Sequence, residues 1–131
     1  MTDQEFIQAF ESCTLTEFTH RDHIRMAWLY LRGDGTEAGL VKIRDGIRAF
    51  AHHLGADRKY HETITVFWAQ VVALAISFTP DIADFTAFVA THPHLLDKSI
   101  LMRHYSGATL ATEAARHTWV EPDLIPLPAS A

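Results

Sequence analysis

The segment 66–78, VFWAQVVALAISF, is the feature that most constrains how this chain can fold. It is apolar on nearly every side of a helix, and only Gln70 and Ser77 interrupt it. A helix that is apolar all round is a buried one. The segment is shorter than the roughly 20 residues that span a bilayer. The sequence therefore predicts a fold built around one central helix, over about 60–78, with no membrane partner.

Apolar residues also recur at helical spacing elsewhere in the chain. Thr19 and Thr36 stand at N-cap positions, and Gly33 and Gly55 stand where helices end. No segment alternates as a strand does. The further predicted helices cover 3–12, 20–32, 37–54, 81–91 and 93–104, with a short one over 111–118. The fold class is therefore all-α: a compact single-domain bundle of about six helices, residues 1–131, with an extended Pro-rich C-terminal tail.

Charge and cysteine content exclude several classes of function. The 131 residues carry a formal net charge of −5 and no basic stripe, so we expect no nucleic-acid partner. The single cysteine cannot form an internal disulfide, and the N-terminus lacks a secretory-signal pattern. We therefore expect a cytoplasmic protein. A small-molecule substrate and a homo-oligomer both remain open.

Histidine is the residue type that points to a site. His20 and His23 lie three residues apart, and Ile24, Ala27 and Tyr30 continue their helical face, so both rings should point inward. The positive helix N-terminus disfavours their protonation. A neutral imidazole can bind a metal or accept a proton. The alternative is a pair of core histidines bonded to backbone carbonyls or a carboxylate.

The stretch 59–68, KYHETITVFW, places more titratable groups at the start of the central helix. His61 shares a mostly apolar face with Trp68, and Glu62 is turned about 100° away. Glu62 is a candidate fourth ligand or general base; alternatively, it only favours the helix N-terminus electrostatically. Tyr60 adds a hydroxyl at the same end.

The two groups should meet at one end of the bundle. In an up-and-down bundle, the second and fourth helices run the same way and share one end. His20, His23, His61 and Glu62 would then converge there. Such a ligand set, with an open position, suits a divalent metal ion: zinc, iron, nickel or copper.

These residues predict a metal-binding protein, and specifically a small metalloenzyme that acts on a small polar metabolite. Glu62, Tyr60 and Arg103 are the catalytic candidates, and either Arg21 or Arg103 would hold a carboxylate or phosphate. Arg103 and His104 are alternatively simple cations at a helix C-terminus. Two other functions stay open: a metal-free His/Glu acid–base enzyme, and a non-catalytic helical interaction module.

Four segments carry a resemblance to a known group of proteins: FTHRDHIRMAWLYLR, YHETITVFW, ILMRHYS and WVEPDLIPLP. Together they make the chain resemble small bacterial all-helical proteins with F-x-H-R-x-H-x-R-x-A-W and Y-H-E-T-[IL]-T signatures. The resemblance covers nearly the whole chain. It implies an all-helical single domain and marks His20, His23, Tyr60, His61 and Glu62 as site residues, without implying a substrate.

Overall fold

A computed structural model describes residues 1–128 of the chain, and this part is all-helical. Three 3₁₀ turns cover Asp57–Lys59, Pro93–Leu96 and Lys98–Ile100. No helix within these residues is long and apolar enough to cross a membrane. The eight α-helices described are α1 (Asp3–Glu11), α2 (His20–Asp34), α3 (Thr36–His53), α4 (Glu62–Phe78), α5 (Phe85–Thr91), α6 (Leu101–His104), α7 (Gly107–Leu110) and α8 (Glu113–His117).

Helix α4 occupies the centre of the fold, as its apolar sequence predicts. It packs against α2, α3 and α8. Phe67 and Val72 on α4 are fully buried, and Ile24 and Ala27 on α2 are buried to the same degree. Burying a large aliphatic or aromatic side chain contributes roughly 1.5–3 kcal/mol to stability. The α2–α4 contact therefore fixes the position of the start of α2, where the two candidate histidines lie.

Helices α2 and α4 run in the same direction, as the helix order predicts. The first turn of α2 shares a pocket with Ile64 and Trp68, near the start of α4. The end of α2, at Leu31, shares a different groove with the later part of α4, through Ser77. The two helix starts therefore lie at one end of the bundle.

The start of α2 is fixed by a reciprocal cap, which confirms the prediction for Thr19. The Thr19 hydroxyl accepts a hydrogen bond from the Asp22 amide at 3.2 Å, and the Asp22 carboxylate accepts one from the Thr19 amide at 3.1 Å. The predicted cap at Thr36 is wrong. Gly35, with φ +85°, reverses the chain in one residue, so α3 already begins at Thr36 without a side-chain cap.

The second half of the chain is more broken than the sequence predicts. The helix expected over 81–91 begins only at Phe85, where the Asp84 carboxylate accepts a bond from the Ala87 amide at 2.9 Å. The helix expected over 93–104 is two 3₁₀ turns followed by α6. Asp97 interrupts it because its carboxylate accepts from the Ser99 amide and hydroxyl. The estimate of about six helices is therefore too low for residues 1–128.

Residues 118–128, here called the C-terminal segment, contain no helix or strand and bend at 123–125. The segment lies against the body: the Leu124 amide donates to the His104 carbonyl at 3.0 Å, and Asp123 accepts from the Ser106 amide at 2.9 Å. The rest of the predicted Pro-rich tail, residues 129–131, lies outside the described residues.

Candidate functional site

His20 lies at the first position of α2 and is held by a backbone carbonyl. Its Nε2 is 2.8 Å from the Leu95 carbonyl oxygen. Because a carbonyl only accepts, Nε2 carries the hydrogen and Nδ1 of the neutral ring keeps its lone pair. Burial lowers the pKa of His20 against the opposing effect of the Leu95 bond, and the charge of Lys98 lowers it further. The ring packs edge-on against Trp68, with 4.6 Å between ring centroids.

His23 lies one turn further along α2 and has an unusual environment. Its Nε2 is buried and has no hydrogen-bond partner in residues 1–128. Its ring stands perpendicular to that of His20, with 6.3 Å between centroids. Burial, together with the nearby His20, lowers the pKa of His23 to about 4. At neutral pH this ring is therefore neutral, and its buried Nε2 makes no hydrogen bond within residues 1–128.

A pocket of about 320 Å³ opens beside the two histidines. It lies between the start of α2, the first turns of α4 and the chain around α6. The lining residues are Phe18, Thr19, His20, His23, Ile64, Trp68, Lys98 and Leu101. Lys98 is the only cationic group among them, and the lining includes no carboxylate. The pocket therefore combines one positive charge, two neutral imidazoles and an aromatic wall.

His61 does not join this pocket, because it caps α4 from outside the helix. Its backbone is extended, with φ −135°, and its Nδ1 accepts a hydrogen bond from the Ile64 amide at 3.1 Å. Its Nε2 is 2.8 Å from the Leu110 carbonyl oxygen. Both ring nitrogens are thus engaged by the backbone, one as acceptor and one as donor.

Glu62 turns toward α3 instead of the histidines. Its carboxylate is buried and lies 2.9 Å from Arg44 Nε and 3.5 Å from an Arg48 nitrogen. The Arg44 Nε–H is not directed at an acceptor in residues 1–128, so that contact is an ion pair without a hydrogen bond. The Tyr60 hydroxyl donates to the same carboxylate at 2.6 Å. Burial, and then this bond, raise the pKa of Tyr60 to about 12.

The four predicted metal ligands therefore do not fit a shared ion as they stand. A ligand nitrogen must offer a free lone pair, and His61 has none. In residues 1–128 no three His, Cys, Asp or Glu side chains form a group that could hold a metal. The predicted start of the helix at residue 60 placed His61 on the face of Trp68. The helix starts at Glu62, so His61 lies outside the helical periodicity. Metal binding by this chain stays a prediction.

His104 and Tyr105, at the end of α6, hold the C-terminal segment by hydrogen bonds. His104 Nδ1 is 2.7 Å from the Ile125 carbonyl oxygen, and the Tyr105 hydroxyl donates to the Val120 carbonyl at 2.6 Å. Arg103, beside them at the end of α6, is exposed. A catalytic role for Arg103, Tyr60 or Glu62 stays a prediction. Tyr60 and Glu62 contact each other, and Glu62 also contacts α3, so both contribute to the packing of the fold.

Thr63 is the residue whose role the sequence did not reveal. Its buried hydroxyl donates to the Thr118 carbonyl at 2.8 Å and accepts from the Val120 amide at 3.2 Å. No local signal marks such a pairing, because the partners lie more than fifty residues away in the chain. Much of the Y-H-E-T motif thus caps α4 and ties it to other parts of the chain.

Replacing Thr63 by Val is expected to lower the free energy of unfolding by about 1–2 kcal/mol, since two backbone groups lose their partner while the shape is kept. Thr63→Ser is the control, because it keeps the hydroxyl. Urea unfolding measures the stability of both variants. Hydrogen exchange at the Val120 amide should accelerate in Thr63→Val alone. Equal exchange in the two variants would contradict the assignment.

Comparison with known proteins adds no further constraint: no protein-family model, no curated protein and no solved structure matches this chain. The resemblance to small bacterial all-helical proteins therefore stays a prediction from the motifs. The class that the structure itself defines is an all-helical protein with a histidine-containing pocket at one end of its central helix.

Proposed function

We propose that this chain binds a small anionic metabolite in the pocket formed by His20, His23 and Lys98. The observation that carries the proposal is the buried Nε2 of His23, which has no partner within residues 1–128. Leaving a buried polar atom unpaired costs about 1–3 kcal/mol. A hydrogen-bonding ligand would satisfy this atom, provided a small movement of the ring exposes it to the pocket.

The charge in the pocket specifies the class of ligand. Lys98 is the only charged group in the lining, so it favours a carboxylate or a phosphate. His20 Nδ1 has a lone pair that accepts a hydrogen bond from a hydroxyl or amine of the same ligand. Trp68 supplies an apolar wall. A small hydroxy acid or amino acid has all three of the matching features.

Proton transfer is the reaction class that these residues can perform on such a ligand. A neutral imidazole accepts a proton when it is within hydrogen-bond distance of the donor. In His20 the bond from Nε2–H to the Leu95 carbonyl holds the ring in the tautomer that offers Nδ1. This corresponds to the metal-free alternative, with His20 as the proton acceptor and Glu62 left in its ion pairs with α3.

The proposal predicts saturable binding that depends on Lys98. Untagged, chelator-treated protein is titrated with acetate, glycolate, glycine, succinate and inorganic phosphate, and its thermal unfolding is followed. A ligand present at one hundred times its Kd should raise the free energy of unfolding by about 2.7 kcal/mol. Lys98→Ala should weaken binding about ten-fold, whereas Lys59→Ala, at another exposed lysine, should not.

A second titration, with metal ions, distinguishes anion binding from the predicted metal site and from the interaction module. The same protein is titrated with Zn²⁺ and Ni²⁺. Stoichiometric binding that is lost equally in His20→Ala and His61→Ala would replace the proposal by the four-residue metal site. If neither the anions nor the metals bind, the proposal fails and the interaction module remains.

A further inference from the structure

A groove lies away from the histidines, between the C-terminal segment and the helices. This groove, here called the tail groove, has a volume of about 600 Å³. One wall is the C-terminal segment from Trp119 to Pro128, and α4 forms the floor. The end of α2 and the start of α3 form the opposite wall through Leu31, Thr36 and Leu40. Its volume is within the range of sites for small organic ligands, about 300–1,000 Å³.

The lining of the tail groove is mostly apolar and carries charge of one sign only. Leu74, Val71 and Leu127 are among the apolar members, and Thr36, Gln70 and Ser77 are polar but uncharged. Among the described residues of the lining, Glu121 is the single ionisable group. No Lys or Arg pairs with Glu121 in residues 1–128.

The Glu121 carboxylate is fixed beside an aromatic ring. Trp119 Nε1 donates to Glu121 Oε1 at 3.0 Å, which holds the carboxylate next to the indole. Trp119 is itself partly buried and stands edge-on to Tyr105, with 6.2 Å between ring centroids. Because the indole N–H lies in the ring plane, the carboxylate stands at the edge of the tryptophan. There it can form an ion pair with an organic cation.

We propose that the tail groove binds a small amphipathic cation, an alkyl or aryl ammonium compound. Its apolar body would cover the floor made by α4, and its ammonium group would pair with Glu121 next to Trp119. This site is separate from the histidine pocket, whose only charge is positive. The two cavities therefore select ligands of opposite charge, and either site stands if the other fails.

The test compares two probes of the same length, octylammonium and octanoate, on the full chain below their micelle concentrations. Calorimetry measures affinity, and the Trp119 indole NH resonance, assigned through Trp119→Phe, reports the location. Octylammonium should bind with a Kd below about 1 mM and move that resonance, and octanoate should bind about ten-fold more weakly. Equal affinities, or no saturable binding of either probe, would overturn the proposal.

Two variants separate the charge from the cavity. Glu121→Gln should weaken octylammonium binding about ten-fold and remove its advantage over octanoate, whereas Glu17→Gln, at an exposed loop carboxylate, should change neither. Ala73→Phe, which fills the groove from α4, should abolish binding of both probes. Unchanged binding in Glu121→Gln would contradict the assignment even if Ala73→Phe failed to fold.

Discussion

The free energy of unfolding of this protein is expected to fall by about 2 kcal/mol between pH 7 and pH 5, and by about 3 kcal/mol by pH 4, because of His23 alone. In the folded chain burial lowers the pKa of His23 to about 4 from its ordinary value of 6.5. The unfolded chain therefore takes up this proton first as the pH falls. Unfolding is coupled to proton uptake throughout the window from 6.5 to 4, and below pH 4 both states are protonated.

Two variants isolate this effect. His23→Leu removes the titrating group, so its stability should change much less between pH 7 and pH 5 than that of the wild type. His53→Leu, which replaces an exposed histidine, should keep the wild-type pH dependence. Contributions from His20 and His92 remain in both, since burial also lowers the pKa of each of these histidines. Urea unfolding at pH 7, 6 and 5 measures all three proteins, and equal slopes in wild type and His23→Leu would contradict the expectation.

The same variant connects stability to the proposed site. At pH 7, His23→Leu replaces an unpaired buried polar atom by an apolar group among Phe18, Ile64 and Trp68. Such a replacement is neutral or stabilising. Residues that lower stability are characteristic of functional sites, because they are kept for binding and not for stability. The proposed function therefore predicts that His23→Leu is at least as stable as the wild type at pH 7 and no longer binds the anion.

The sequence was sufficient for the parts of the fold that follow from hydrophobic periodicity and cap chemistry. The all-round apolar character of α4 identified the central helix, and Thr19 with Asp22 identified the start of α2. Both are local signals. The inward position of His20 and His23 also followed, because it depends only on their spacing within one helix.

The sequence does not predict the structure correctly where an unusual side chain caps a helix or where partners come from distant helices. His61 occupies an N-cap, a position more often filled by Ser, Thr, Asp or Asn, so the sequence pattern predicts a helix start at residue 60 instead of Glu62. With the helix start predicted at residue 60, the predicted neighbours of Glu62 are the histidines, and this is wrong. Its actual partners, Arg44 and Arg48, lie one helical turn apart on α3 and look like an ordinary solvated face in the sequence. Interactions of this kind become visible only when the packing of α3 on α4 is known.

A close contact between α2 and α3 gives the other large expected effect. Gly39 on α3 packs directly against the backbone of α2. A Cβ at this position would lie 2.8 Å from the Tyr30 carbonyl oxygen and 2.9 Å from the Leu31 Cα. These are backbone atoms, so no side-chain rotation can relieve the contact. Gly39→Ala must separate the helices, at a cost of about 3 kcal/mol, the upper end of the usual range for an overpacked interior.

The gain in helix propensity offsets part of this cost. Ala is favoured over Gly in a helix interior by about 1 kcal/mol, so we expect a net loss of about 2 kcal/mol in Gly39→Ala. Gly33→Ala is the matched control, since no atom lies within 4 Å of a Cβ there and the residue is in α2. It should stabilise the protein by up to about 1 kcal/mol. Urea unfolding measures the change in the free energy of unfolding of both variants. Changes of opposite sign follow from the close helix contact, and changes of the same sign would mean that α2 and α3 do not approach as described.

Because α2 also carries His20 and His23, a displaced α2 in Gly39→Ala should weaken anion binding in the histidine pocket as well.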